Sequence, residues 1–271
     1  FLWLSSGHPE RMHDGVAPYV QRSGKLGLDH SGWGWDARLD DFDNDGVAEA
    51  IQATGFVRGK VNRWPELQAL GTANDALLTD PRNWPKFQPG SDISGHEPNA
   101  FFVRDASGTY CDIAKEIGLG QPMVTRGVAI ADVDGDGDLD FVFANQWEDS
   151  YFYRNDSPAP GAYLALALRL PLDDRTAPRV YPRLPDATMP SSLAAIGARA
   201  TLILPDGRRM SALVDGGNGH SGKRAPNLHF GLGALKPDQA LKLEVRWRDR
   251  QGQERMRNFA IQPGWHTVLL G

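Results

Sequence analysis

Asp132-Val133-Asp134-Gly135-Asp136-Gly137-Asp138-Leu139-Asp140 is the stretch on which the reading of this chain turns. A second version, Asp41-Phe42-Asp43-Asn44-Asp45-Gly46-Val47-Ala48-Glu49, stands 91 positions upstream. The pairs Gly27-Leu28 and Gly118-Leu119 are separated by the same 91 positions, with no gap between the landmarks. A constant offset at two separate landmarks marks an internal repeat. The flanks read as strands: Val128–Ala131 leads into the second loop and Leu139–Ala144 leads out of it. A recurring β-loop-β unit implies an all-β fold of partial or complete propeller blades. The unit is about half as long as the offset, so each period holds either two blades or one blade plus an insertion, for which 56–95 is the candidate segment. That insertion carries Trp64, Trp84, Pro65, Pro81, Pro85 and Pro89 and is expected to be irregular. Single helical turns are expected at Glu66–Leu70 and Asp112–Ile117, the second stopped by Gly118.

The acidic loops place side-chain oxygens at positions 1, 3, 5 and 9, namely Asp132, Asp134, Asp136 and Asp140 in the second loop. Position 7, Asp138, is expected to offer its backbone carbonyl. In the same register the first loop offers Asp41, Asp43, Asp45, the carbonyl of Val47, and Glu49. Oxygen ligands without His or Cys favour calcium (Ca2+) over zinc or copper, and a flexible loop favours it over magnesium. An EF-hand requires Glu at position 12, where this chain has Phe143 and Gln52, and helical flanks are missing. Solvated turn aspartates are the blander alternative. Five carboxylates within nine residues, and a second acidic loop at one offset, favour a cation. Val47 removes a charge and Glu49 is longer than Asp, so the first site is expected to be the weaker.

The composition excludes several classes. The chain has 271 residues with 30 Gly, 19 Pro, 8 Trp and one Cys. Hydrophobic residues at 41% and charged residues at 23% are those of a globular protein, not a disordered one. A net charge of −5 offers no broad attraction for nucleic acid, and no apolar run is long enough for a transmembrane segment. Cys111, being alone, excludes an internal disulfide framework. The chain begins at Phe1 within the repeat region, so it is expected to be the tail of something longer.

After 157–161 (Ser-Pro-Ala-Pro-Gly) the acidic loops stop and period-2 segments begin, dividing the chain at about residue 160. Leu164, Leu166, Leu168 and Leu170 alternate with Ala165, Ala167 and Arg169. Leu241, Leu243, Val245 and Trp247 alternate with Lys242, Glu244 and Arg246. Turns such as Pro205-Asp206-Gly207 point to a small antiparallel β-sandwich or barrel over 161–271.

On these motifs the first half, 1–160, resembles the FG-GAP/VCBS repeat family of integrin-type propellers, whose blades carry Asp-x-Asp-x-Asp-Gly-x-x-Asp calcium loops. The segments 99–113 and 151–156 resemble further parts of such repeats. The second half resembles the ASPIC/UnbV domain found after FG-GAP repeats, as in the cartilage acidic protein 1 family. The matching residues are Ala195-Ile196-Gly197-Ala198-Arg199, Pro226-Asn227-Leu228-His229-Phe230-Gly231-Leu232-Gly233 and Leu243-Glu244-Val245-Arg246-Trp247. This chain departs from the family's usual aromatic-containing turn at Gly217-Asn218-Gly219-His220.

Other motifs are weaker. Gly217–Arg224 reads GxxxxGKR but lacks the hydroxyl residue of a P-loop, and it reads better as a turn between strands. Ser221 beside His220 has no readable catalytic partner. The seven histidines show no zinc spacing, and His229 is expected to be a hydrogen-bonded core residue. The arginines of 246–257 are interleaved with acids, as on a solvated strand face.

The functional expectation is a non-enzymatic, calcium-binding adhesion or interaction protein, secreted, periplasmic or extracellular. It would meet a protein or glycan partner through its blade loops and insertion. A structural or accessory subunit of a larger assembly is the alternative, followed by an enzyme with its site in a propeller channel.

Overall fold

The structure is a computed structural model. It describes residues 2–271 other than 31, 74, 94–97, 159, 174–175, 183, 216 and 218–222. Strands predominate over helices, 41% against 10%, and several antiparallel sheets are present, so the chain is mostly β. Contacts divide it into two units. One comprises Phe1–Leu39, Glu49–Gly127 and Ala144–Ser150; the other comprises Asp40–Ala48, Val128–Phe143 and Tyr151–Gly271. This partition differs from a single cut at 160, because both acidic loops group with the C-terminal residues.

The first unit is organised by a meander in the order β1 (Gly34–Asp40), β2 (Glu49–Thr54), β3 (Ala100–Arg104) and β4 (Tyr110–Asp112). β2 and β3 pair antiparallel with Ala50 opposite Phe102, and β3 and β4 with Phe102 opposite Asp112. Ile51, Ala53, Phe101 and Phe102 supply its core. The insertion is more ordered than its composition implies. A helix, α1, runs over Trp64–Ala73. Pro65 lies in its first turn, where no intrahelical N–H is required. Leu67 and Leu70, one turn apart, are both buried, so tertiary packing extends the short turn expected at Glu66–Leu70. The turn after β4 is closed by Ile117 N–H to the Ile113 carbonyl at 3.2 Å and Leu119 N–H to the Ala114 carbonyl at 2.7 Å. Gly118 there has φ 85°, the left-handed geometry that ends a helical turn.

The second unit continues with β5 (Thr125–Ala131), which begins in the first unit, β6 (Asp140–Asn145), which ends in it, and β7 (Tyr151–Tyr153). There follow β8 (Ala162–Pro171), β9 (Arg179–Tyr181), β10 (Ser192–Ala194), β11 (Arg199–Ile203) and β12 (Arg209–Leu213). The chain ends with β13 (Lys223–Arg224), β14 (Leu228–Gly233), β15 (Leu241–Arg248), β16 (Glu254–Ile261) and β17 (Gly264–Leu269). One sheet has the order β7-β6-β5-β13. A second places β8 among β17, β10 and β14, with β9 outside β17. A third has the order β12-β11-β15-β16.

The second and third sheets share one core containing Leu164, Leu166 and Leu168 of β8, Ala200 and Leu202 of β11, and Leu243, Val245 and Trp247 of β15. β15 buries alternate residues, as its period-2 pattern predicts. The expectation of purely antiparallel pairing is corrected at β8 and β17, which run parallel from Leu164 opposite Gly264 to Arg169 opposite Leu269. β8 accommodates this because Leu164 through Leu168 are buried on both faces, so it is a central strand and not a half-exposed one. β13 also runs parallel to β5. Among the described residues, no helix is long and apolar enough to cross a membrane.

Leu243→Ala should cost about 2–5 kcal/mol, read as a lower urea midpoint, because it empties a fully buried site. Lys242→Ala on the opposite face should stay within about 0.5 kcal/mol of the parent.

Candidate metal centre

Each acidic loop joins two neighbouring strands, β1 to β2 and β5 to β6. The backbone turns left-handed at equivalent positions: Asn44 and Gly46 have φ 62° and 90°, and Gly135 and Gly137 have φ 82° and 101°. Only Gly enters this region freely, and Asn is among the few other residues that tolerate it. These turns curl the carboxylates inward. Ligand atoms of Asp41, Asp43 and Asp45 lie within 4.8 Å of one another, as do those of Asp132, Asp134 and Asp136.

Backbone amides hold the first residue of each loop. Asp41 accepts from Asp45 N–H at 3.1 Å and Gly46 N–H at 2.8 Å. Asp132 accepts from Gly135 N–H at 2.7 Å and Gly137 N–H at 3.0 Å. The position-9 residues, Glu49 and Asp140, are buried. Asp140 accepts from Val133 N–H and Asn155 N–H, each at 2.9 Å, and so ties the loop to the chain beyond β7. Val47 donates its N–H to Asp45 Oδ1 at 2.7 Å.

Asp41 and Asp138 are both raised, chiefly by burial. Burial, with the charges of Asp43 and Asp45 adding to it, pushes Asp41 up from the ordinary 3.8 to about 6 despite its backbone hydrogen bonds. Burial and a hydrogen bond to the Asp136 side chain push Asp138 up to about 7, while that bond holds Asp136 down. Asp138 was expected to matter through its carbonyl; its side chain is also buried and engaged. Oxygen-only donors, clustered and short of counter-charge, fit a hard divalent cation.

The loops are knitted to each other and to the C-terminal strands through Asn44. Its Nδ2 donates to the Gly137 carbonyl at 3.0 Å, leaving Oδ1 to accept from His229 Nε2–H at 2.6 Å. Its carbonyl accepts from Gly233 N–H at 2.7 Å. Burial, then the charge of Arg224, lowers His229 to about 4, which keeps it neutral. This matches its reading as a hydrogen-bonded core residue. Gly161 N–H donates to the Asp43 carbonyl at 2.9 Å. Trp265 Nε1–H donates to Asp132 Oδ2 at 2.6 Å. A Cβ at Gly231 would collide with the Asp41 carboxylate, and one at Gly137 with the Tyr163 ring. Arg224 of β13 pairs with Asp40 at the end of β1.

Besides Asn155 and Gly161, the residues that hold the loops from outside come from the C-terminal strands. Residues 189–270 match the ASPIC and UnbV family. The comparison with curated proteins finds no match. The ASPIC/UnbV module contributes His229, Gly231, Gly233 and Trp265, three of them within the 226–233 motif that carries the resemblance. Sequence reasoning missed these roles, because spacing along the chain cannot show contacts across 185 positions. One signal was available: Asn44 stands where the other loop has Gly135, a substitution that asks for a reason. Of the GxxxxGKR segment, residues 218–222 lie outside the described residues, as do His220 and Ser221.

Asn44→Ala removes two buried side-chain hydrogen bonds and leaves the His229 Nε2–H without an acceptor. It should cost about 1–3 kcal/mol in denaturant unfolding.

Proposed function

We propose that this is a calcium-binding, extracytoplasmic interaction protein and not an enzyme. Its acidic loops take Ca2+, and the ions rigidify loops that present a surface to a protein or glycan partner. The observation that carries this reading is the pair of oxygen-only triads whose left-handed residues fall at equivalent positions 91 apart. Asp41, Asp43 and Asp45 would hold one ion, and Asp132, Asp134 and Asp136 the other. Glu49 and Asp140, with the carbonyls of Val47 and Asp138, are the candidates for completing each shell. Calcium supplies the positive charge that the crowded carboxylates lack. Open sites of this kind suit millimolar calcium, which favours a location outside the cytosol. In the same reading, the β1–β4 meander and the β5–β7 strands are FG-GAP/VCBS-type blades, each containing a strand, an acidic loop and a strand.

A second reading, an accessory subunit of a larger assembly, is favoured by β7. It is the edge strand of its sheet and exposes Tyr151 and Phe152, at 46% and 52%. Exposed aromatic edges invite a neighbouring strand. Concentration-dependent association in sedimentation velocity would support this reading, and a monodisperse monomer would remove its basis.

Millimolar calcium should raise the melting temperature relative to chelator, and Asp132→Asn with Asp134→Asn should abolish the part due to the second loop. Superimposed melts would end the metal reading. The effect should depend on pH with a definite sign. Asp41 in the folded, ion-free protein sits at about 6, above its ordinary 3.8. Its favourable contribution is therefore complete below 3.8 and lost as pH rises through about 6. Asp138 behaves alike through about 7. The gap between melts with calcium and with chelator should therefore widen from about pH 5 to about pH 8. His229, depressed to about 4, loses its contribution as pH falls below its ordinary 6.5. It should shift both melts together.

A further inference from the structure

The inward face of the edge strand β16 changes character along its length. Ile261 stands opposite Leu241 and Phe259 opposite Leu243, and both join the shared core. Farther along, Arg257 stands opposite Val245 and Arg255 opposite Trp247. Directly opposed residues share a sheet face, so two guanidinium groups follow two apolar side chains on the core-facing side. They border an open cavity of about 390 Å³, to which Arg250 adds a third guanidinium. This volume lies within the range of about 300–1,000 Å³ typical of small-molecule sites.

Leu170, Pro171, Pro178 and Leu270 give the cavity an apolar wall, and Trp247 also lines it. Among the described residues, Asp173 and Asp249 are the carboxylates in the lining, against three arginines, of which Arg250 already donates one N–H to the Leu172 carbonyl. Asp249 is taken up by Arg255 at 2.7 Å. Arg257 stacks over Phe259, with its guanidinium carbon 5.9 Å from the ring centroid. Trp247 is 6% exposed, and its Nε1–H has no acceptor among the described residues. Inward-pointing charges can also serve only to keep an edge strand from pairing. An apolar wall and a concave volume go beyond that purpose.

We infer that this cavity binds an amphipathic organic acid, with its anionic oxygens on the guanidinium of Arg257 and the remaining donors of Arg250, and its apolar body against Leu170 and Pro178. Guanidinium groups match oxyanions through paired N–H donors, and the low polarity of the wall selects an organic tail over a bare inorganic ion. The site is independent of the acidic loops and stands whether or not they bind calcium.

The test titrates 4-phenylbutyrate into the ¹⁵N-labelled full chain and follows the Trp247 indole N–H, assigned with Trp247→Phe. A saturable shift is expected, absent with 4-phenylbutanol and 4-phenylbutylamine. The separate variants Arg257→Gln and Arg250→Gln should each weaken binding about tenfold, and for Arg257→Gln the melting temperature should hold. No saturable shift, an equal response to the neutral alcohol, or undiminished affinity in both variants would overturn the assignment and leave the arginines as guards of the strand edge.

Discussion

Mutual repulsion among carboxylates governs much of the local architecture. Two sets of three have ligand atoms no more than 4.8 Å apart. Charges that close raise each other's proton affinity and resist burial. The backbone answers by turning left-handed at two positions per loop, so that several N–H groups point at Asp41 and Asp132. These hydrogen bonds compensate in part: Asp41 still rises to about 6, because burial outweighs them.

The C-terminal module acts as the scaffold of the acidic loops. Asn44 accepts from Gly233 and His229 and donates to Gly137, so one buried side chain and its carbonyl join both loops to β14. Glycine at 231 lets the strand approach the Asp41 carboxylate, and Trp265 reaches Asp132 from β17. A change in either loop is therefore felt by the strands that carry the module's core. This coupling is the physical sense in which the loops and the C-terminal strands form one contact unit.

Legibility varied with the range of the determining interaction. β15 could be read residue by residue, because alternation along a half-buried strand is a local property. The clustering of the acidic side chains was legible for a similar reason: nine consecutive residues contain the carboxylates and the glycine that curls them. α1 was not, since Trp and Pro bias toward irregular structure and only the burial of Leu67 and Leu70 makes a helix favourable. The parallel neighbour of β8 was hidden too, because an uninterrupted Leu/Ala run records burial and not the direction of the adjacent strand.

The sequence by itself determined that the chain is mostly β, that two similar acidic loops stand 91 positions apart, and that an ASPIC/UnbV-like segment follows them. The first two rest on periodicity and spacing along the chain, and the third on the resemblance of its motifs to that family. Only the tertiary structure decided that Asp140 takes the N–H groups of Val133 and Asn155, that His229 serves Asn44, and that β16 turns two arginines toward the core side. Those outcomes depend on hydrogen bonds and strand register between residues far apart in the chain, and no local pattern encodes the partner.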